Sequence, residues 1–222
     1  HPGDRAAQLA GVLTCLGTSA CVYFLTDNAL VMLTLLLAAP LLGMLIVLWR
    51  LGDIKTAALR VMAGSFGPLY IGGCLTTLAL LRKEQPGFDG PGYVVLALGL
   101  AWASDTGGYF AGKHLGKRKL YEAVSPKKTI EGSVGGLLGA VLVAVVGHLW
   151  FLKSLPLVHA VVLGVVGAAL GQLGDLGESL LKRSTGVKDS GAILPGHGGI
   201  LDRVDALMIT ATVVYLYTRW VG

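Results

Sequence analysis

Acidic, basic and hydroxyl side chains are concentrated near the C-terminus, in a stretch between strongly apolar segments. One group has the spacing i, i+3, i+4, i+7, which places its members on one stripe of a helix: Asp175, Glu178, Ser179 and Lys182. Asp202 and Asp205 are three residues apart on the first turn of the next predicted helix. Because ionisable groups are costly inside a membrane, this stretch is predicted to be the functional site.

A further carboxylate lies at a matching depth in an earlier segment. Asp105 is eight residues before Lys113, and Asp175 is eight residues before Arg183. At 1.5 Å per residue, both carboxylates are about 12 Å in from the ends of their helices. Equal depth predicts that the two side chains face one cavity.

Carboxylates that converge at one depth repel one another, and either protonation or a divalent cation makes such a cluster tolerable. Carboxylate oxygens that lie beside phosphate-binding Lys and Arg side chains suit Mg²⁺ rather than zinc. Basic residues that accompany the acids are candidates for binding phosphate: Lys127, Lys128, Lys182, Arg183 and Lys188. The alternative is a set of salt bridges that only link helices.

The segment before the last predicted helix adds three candidates. The N–H groups of Gly198 and Gly199 stand at a helix N-terminus, where they could bind phosphate. His197 is either a base or phosphate donor, or a ring that braces the loop. Arg203 is expected to point toward lipid headgroups or the neighbouring loop.

The composition indicates an integral membrane protein. Of the 222 residues, 54% are hydrophobic and 14% are charged, and the mean hydropathy is +0.70. Apolar runs of about 20 residues recur, which is the length that crosses a bilayer. The net charge of +5 comes from basic residues at helix ends, which points to topology and anionic membrane lipids rather than to nucleic acid.

The predicted fold is all-α, a polytopic helical membrane protein with about seven transmembrane helices. The spans are Ala6–Leu25, Ala29–Trp49, Ala57–Leu81, Gly92–Lys113, Gly132–Leu152, Leu157–Arg183 and Leu201–Val221. Pro40 and Pro68 fall inside spans and are expected to kink them. Two domains are predicted, N-terminal transmembrane helices over 1–91 and a catalytic transmembrane domain over 92–222. Since the chain begins at His1 without a methionine, earlier helices are expected to be missing.

The basic residues predict the orientation. With the N-terminus inside, only Arg82, Lys83, Lys153 and Arg219 lie outside, which leaves 14 of the 18 Lys and Arg residues inside. The positive-inside rule then places the site on the cytoplasmic face. The absence of a targeting segment favours a plasma membrane location.

These residues resemble the phosphatidate cytidylyltransferase (CDP-diacylglycerol synthase) family. The C-terminal family pattern matches without a gap at Ser179, Lys182, Arg183, Lys188, Asp189, Pro195, His197, Gly198, Gly199, Asp202, Arg203 and Asp205. Upstream matches are Ser104-Asp105, Tyr109, Gly112, Ser125 to Thr129, Glu131-Gly132, Gly174-Asp175 and Glu178. The resemblance covers about residues 102–221, and the first hundred residues resemble the family only as hydrophobic helices.

The resemblance implies that CTP and phosphatidate react to give CDP-diacylglycerol and pyrophosphate. It further implies that Asp175 and Asp202 hold Mg²⁺, while a second cation site is completed by Asp105, Asp205 and Glu178. Basic residues would bind CTP phosphates or the phosphatidate headgroup: Lys182, Arg183, Lys188 and Arg203. The other implied substrate-binding residues are Ser104, Lys127, Lys128, Ser179, Gly198 and Gly199, and His197 is a candidate catalytic residue. Members of the family are often dimeric, so a homodimer is also implied.

Two rival functions remain open from the sequence. One is another CTP-dependent lipid enzyme, either a lipid kinase or a cytidylyltransferase of a different lipid phosphate. The other is an ion-coupled transporter in which Asp105 and Asp175 bind the coupling ion. The lack of an internal repeat and the glycine-rich loop around His197 argue against the transporter.

Overall fold

The structure, a computed structural model, describes residues 4–191 and 199–221, and most of these residues are helical. It divides into two compact units, His1–Leu80 and Leu81–Gly222. The predicted site residues within the described ranges all belong to the second unit. The functional division at residues 91 and 92 stays a prediction.

The first unit contains three apolar helical runs. Two of them are α1 (Arg5–Leu25) and α2 (Ala29–Trp49). In the third, α3 (Ala57–Gly67) continues through a π-helical segment at Pro68–Gly73 into α4 (Cys74–Glu84), of which residues 81–84 belong to the second unit. Proline has no backbone N–H to donate. The change from α-helical to π-helical hydrogen bonding begins at Pro68, the residue at which this span was expected to kink. Pro40 lies within α2.

Polar contacts fix the ends of the helices in this unit. Asp4 caps α1 by accepting from the Ala7 N–H, and its carboxylate pairs with Arg50 at 2.9 Å. The hydrogen bond from Arg50 lowers the pKa of Asp4 below its usual range. Arg60 donates to backbone carbonyls beyond the end of α2, including that of Arg50 at 3.2 Å, so acceptors left over at the helix terminus are satisfied.

The described residues of the second unit form four long helices and one small sheet. The helices are α5 (Asp89–Leu115), α6 (Ile130–Trp150), α7 (Leu157–Ser184) and α8 (Leu201–Trp220). Between α5 and α6, β1 (Lys119–Tyr121) pairs antiparallel with β2 (Ser125–Thr129). The predicted spans leave residues 114–131 outside the helices, so this hairpin is an unpredicted addition to a helical fold that is otherwise confirmed.

Glycine allows α5 and α6 to pack backbone against backbone. A Cβ atom at Gly135 would lie 2.2 Å from Ala111 Cβ and 2.8 Å from the Gly107 carbonyl oxygen, and one at Gly107 would lie 2.5 Å from the Gly135 carbonyl oxygen. Small residues permit such close approach in membrane proteins. The contact fixes the spacing between α5 and α6, and the cavity described below opens between these helices and α7.

Five helical segments of the described residues are long and apolar enough to cross a membrane. They are Arg5–Leu25, Ala29–Trp49, Ile54–Glu84, Ile130–Trp150 and Leu157–Ser184. The remaining two predicted spans form α5 and α8, which are 27 and 20 residues long. These two helices carry Asp105, Asp202 and Asp205, whose charges lower their hydropathy. The chain is a multi-pass helical membrane protein.

Candidate functional site

A cavity of about 370 Å³ opens between α5, α6, α7 and the strand β2. Asp105 reaches it from α5 and Asp175 from α7, while Lys127 and Lys128 line it from the hairpin. The prediction that Asp105 and Asp175 face one cavity is therefore confirmed. A partly apolar cavity with a few convergent charged groups is the usual form of a small-molecule site.

The central contact of the cavity is an ion pair between Lys128 Nζ and the Asp175 carboxylate. Both side chains are about one quarter exposed, at 28% and 26%. The charge of Asp105 is close enough to interact with Asp175 and with Lys128. The positive charge of Lys128 therefore offsets the negative charges of two side chains from different helices, Asp105 on α5 and Asp175 on α7.

Gln172 and Ser133, at the inner end of the cavity, were not predicted from the sequence. Gln172 on α7 donates from Nε2 to Ser104 Oγ at 3.1 Å and to the Ser133 carbonyl oxygen at 3.1 Å, and Ser133 Oγ donates to Gln172 Oε1. These bonds join α5, α6 and α7. Gln172 lies three residues before Asp175, so extending the polar stripe of α7 by one turn would have found it.

A second charged group lies around Lys182, near the C-terminal end of α7. Lys182 Nζ lies 2.6 Å from Asp202 Oδ1 and 3.4 Å from Glu178 Oε1. The Asp202 carboxylate also accepts from the Ser190 N–H, the Ser190 hydroxyl and the Gly199 N–H, at 2.9, 2.9 and 2.8 Å. The Gly199 N–H was predicted to be available to phosphate, but here it binds Asp202 instead.

Glu178 is the most deeply buried acid of the site, with a side chain that is 3% exposed. Neither of its carboxylate oxygens accepts a hydrogen bond from any described residue. The carboxyl group of Asp205 is close enough for its charge to interact with that of Glu178, and two neighbouring carboxylates repel unless a proton or cation lies between them. Lys182 Nζ, 3.4 Å from Oε1, offsets part of this charge, and the hydrogen-bonding capacity that remains on the buried oxygens would favour a further cation or a proton.

The five predicted metal ligands do not form one cluster in the described residues, where no group of three or more His, Cys, Asp or Glu side chains is arranged to hold a metal ion. The reason is that lysines lie among the carboxylates: Lys128 pairs with Asp175, and Lys182 pairs with Asp202 and Glu178. The donor chemistry suits Mg²⁺, and the buried oxygens of Glu178 offer it ligands. Convergence of Asp175 and Asp202 on one ion stays a prediction.

The other predicted residues lie at the edges of these two groups. Arg183 and Lys188 are exposed, and Ser179 is half-buried on α7. Arg203 is exposed on the first turn of α8, and its charge interacts with that of Asp105. His197 and Gly198 lie outside the described residues, so their predicted roles stay predictions.

Comparison with known proteins gives one family. The cytidylyltransferase family matches this chain over residues 4–221. The phosphatidate cytidylyltransferase of Bacillus subtilis is 43% identical over 148 residues, which are 66% of this chain and 54% of that protein. The phosphatidate cytidylyltransferase of Synechocystis is 37% identical over 205 residues, covering 80% and 69%. That of Staphylococcus aureus is 49% identical over 122 residues, covering 54% and 46%. The chain thus spans about half the length of several relatives that it matches.

Proposed function

Because this chain belongs to the cytidylyltransferase family, we propose that it transfers CMP from CTP to phosphatidate, releasing pyrophosphate and forming CDP-diacylglycerol. The observation that carries this proposal is the cavity in which the Lys128–Asp175 pair lies beside Asp105 and Lys127. Its acids and cations suit a reaction between two phosphate compounds, and its position among apolar helices suits a lipid substrate.

In the proposed reaction, a phosphate oxygen of phosphatidate attacks the α-phosphorus of CTP. The bond from that phosphorus to the β-phosphate bridging oxygen breaks, and pyrophosphate leaves with the electron pair. Both substrates are anions, so the protein must mainly neutralise and align them. A phosphate monoester has a second pKa of about 6 and is already a nucleophile near neutral pH, so the reaction needs no strong general base.

The basic residues in and near the cavity can bind different parts of the substrates, according to their positions. Lys127 is exposed at the cavity wall and Lys128 lies further in, so the two can bind phosphate oxygens at successive depths. Lys182 holds Asp202 and Glu178 at the C-terminal end of the same helix that carries Asp175. Arg183 and Lys188 are exposed beyond it, where they can attract anionic substrates from solution.

We assign Mg²⁺ to the carboxylates of this site, with Asp175 and Asp202 as ligands of one ion and Asp105, Asp205 and Glu178 as contributors to a second cation site. The buried oxygens of Glu178, which accept no hydrogen bond from the described residues, support this assignment. A bound divalent cation would neutralise charge that develops on the leaving pyrophosphate. In this proposal Lys128 and Lys182 then turn toward substrate phosphates.

The proposed location is the plasma membrane, with the cavity open to the cytoplasm. The excess of Lys and Arg on one side supports this orientation. The variant Ala123→Cys, altered in the exposed turn of the hairpin, should react at that position with a membrane-impermeant maleimide in inverted vesicles and not in right-side-out vesicles. The opposite labelling would reverse the orientation. The homodimer stays a prediction.

The purified chain in detergent, supplied with phosphatidate, Mg²⁺ and CTP labelled at the α-phosphate, tests the reaction. We expect labelled CDP-diacylglycerol and one pyrophosphate for each lipid product. Release of CDP with phosphorylated lipid would instead show a lipid kinase. Failure to form any nucleotide lipid, together with solute uptake by proteoliposomes, would favour the transporter.

A further inference from the structure

We propose that Gln172 is the residue that selects the base of the nucleotide, by accepting a hydrogen bond from the exocyclic amino group of cytosine. The inference rests on the proposed function, because it takes the cavity to be the nucleotide site. It assigns the end of the cavity around Ser104 and Gln172 to the base and the end around the lysines to the triphosphate.

The orientation of the Gln172 amide is determined by its neighbours. Nε2 lies 3.1 Å from the Ser133 carbonyl oxygen, and a carbonyl oxygen can only accept a hydrogen bond. The nitrogen must therefore face that carbonyl, and the oxygen must face the other way. Ser133 Oγ, a hydroxyl that can donate, lies on the oxygen side of the amide. An inverted amide would place two acceptors in contact at the Ser133 carbonyl.

A count of hydrogen-bonding groups shows what this amide can still bind. A glutamine side chain has two N–H donors and two acceptor lone pairs on its oxygen. Both donors are used, one by Ser104 Oγ and one by the Ser133 carbonyl oxygen. One lone pair is used by Ser133 Oγ, and no other described residue donates to Oε1. The remaining hydrogen-bonding capacity of Gln172 is one acceptor position, which requires a donor on the ligand.

The length and lining of the cavity favour a nucleotide in this orientation. From Ser104 to Lys113 the α5 wall spans nine residues, about 13 Å. Gln172 lies at the Ser104 end, whereas Lys113, Lys127 and Lys128 line the remainder. Tyr109 lies between the two ends on α5, and Lys113 Nζ lies over its ring, 5.7 Å from the centroid. Phosphates therefore fit the lysine end, which leaves the base for the end at Gln172.

An acceptor at this position distinguishes the two common pyrimidines. Cytosine has an amino group at position 4, whereas the corresponding thymine or uracil position is a carbonyl oxygen. The amino group would donate to Gln172 Oε1, but a carbonyl there would place two acceptors together. Sites that hydrogen-bond a substrate N–H or O–H reject analogues that lack it by about 10⁴- to 10⁵-fold in favourable cases.

The unaltered protein provides the first test. Initial rates are measured with CTP, UTP and the triphosphate of pyrimidin-2-one riboside, which lacks any group at position 4. We expect kcat/KM to fall at least about 100-fold for both analogues, since both lack the donor. Turnover of the pyrimidinone nucleotide as fast as CTP would overturn the proposal, because the amino group would then contribute nothing.

Variants locate the selectivity at this residue. Gln172→Met keeps the length of the side chain and removes the acceptor, and we expect the CTP-to-UTP ratio of kcat/KM to fall at least about tenfold. Gln85→Met, outside the cavity, should keep the wild-type ratio. If Gln172→Met remains folded and both nucleotides lose rate equally, Gln172 only holds the helices together and the proposal is wrong.

Binding measurements separate this inference from the proposed reaction. Calorimetric titration of the unaltered protein with CTP and UTP, without lipid, requires neither turnover nor a variant that folds. If no nucleotide lipid is made but CTP binds at least about tenfold more tightly than UTP, the reaction is wrong and the base site stands. Equal affinity for the two nucleotides overturns the base site, whatever the reaction proves to be.

Discussion

Lys182 Nζ lies 2.6 Å from Asp202 Oδ1 and 3.4 Å from Glu178 Oε1, so one ammonium group joins α7 to the first turn of α8. The side chains of Lys182 and Asp202 are 16% and 10% exposed. Ion pairs this far from water are costly to break, because the remaining charge stays buried without a partner. The contact therefore couples the two C-terminal helices of the site.

Asp202→Asn should lower kcat by at least about 100-fold. This is the usual effect of removing a group that stabilises charge in the transition state. The amide oxygen can still accept from the Ser190 and Gly199 N–H groups, and Lys182 keeps its contact with Glu178 at 3.4 Å, so the variant should fold with a lower stability than the wild type. Steady-state kinetics and size-exclusion chromatography in detergent measure both properties. Asp89→Asn, on the first turn of α5, is the control and should keep wild-type kcat. Near-normal turnover in folded Asp202→Asn would remove Asp202 from the site.

Lys127→Ala should act mainly on substrate affinity. Lys127 is exposed at the cavity wall, so its loss removes attraction for a phosphate group without leaving a buried charge. We expect KM for CTP or phosphatidate to rise roughly tenfold, the effect of about 1.4 kcal/mol of binding, with little change in kcat. Lys153→Ala, which is exposed between α6 and α7, is the matched control. An unchanged KM for both substrates would contradict this role.

The variant Glu178→Gln should show whether Glu178 only stabilises the fold or also binds a cation. The substitution removes a buried charge whose oxygens accept no hydrogen bond from the described residues and which faces Asp205. Lys182 loses its contact with Glu178 in this variant but keeps its shorter contact with Asp202, so without divalent cations we expect a melting temperature at least as high as that of the wild type. Mn²⁺ affinity, followed by electron paramagnetic resonance, should fall about 10- to 100-fold. Unchanged Mn²⁺ affinity would show that Glu178 is no ligand.

Gly135→Ala should destabilise the second unit. Its new Cβ would lie 2.2 Å from Ala111 Cβ and 2.8 Å from the Gly107 carbonyl oxygen, and such overpacking costs about 1–3 kcal/mol. Gly177→Ala is the control, because a Cβ there meets nothing within 4 Å. This control should be neutral or should stabilise α7 by about 0.5–1 kcal/mol. Thermal unfolding in detergent compares the two, and equal melting temperatures would contradict the packing argument.

Helix positions were predictable because apolar runs of membrane-spanning length have few alternative structures. The second predicted span, Ala29–Trp49, coincides with α2, and Leu157–Arg183 differs from α7 by one residue. The hairpin was missed because β1 and β2 are three and five residues long and consist largely of charged and polar residues. Such strands show no alternation of apolar residues, and their pairing depends on the helices that flank them.

Those parts of the site were predictable in which the depth of a residue along its helix determines which side chains lie together. Asp105 and Asp175 share the cavity because they lie ten and nine residues before the ends of α5 and α7, at nearly the same depth. The pairing of Lys128 with Asp175 was not predictable, since it depends on a strand 47 residues away in the chain. Gln172 was missed because a neutral amide in an apolar helix gives a weaker signal than a carboxylate.

The hairpin determines which of two adjacent lysines faces the acids. Successive side chains of a strand point to opposite faces, and in β2 Lys128 is half-buried against Asp175 while Lys127 is exposed. Inserting one residue before Lys127 would turn Lys127 toward the acids and Lys128 away from them, whereas inserting two would return each lysine to its original face. Tolerance to changes in the length of this strand should therefore differ between odd and even insertions.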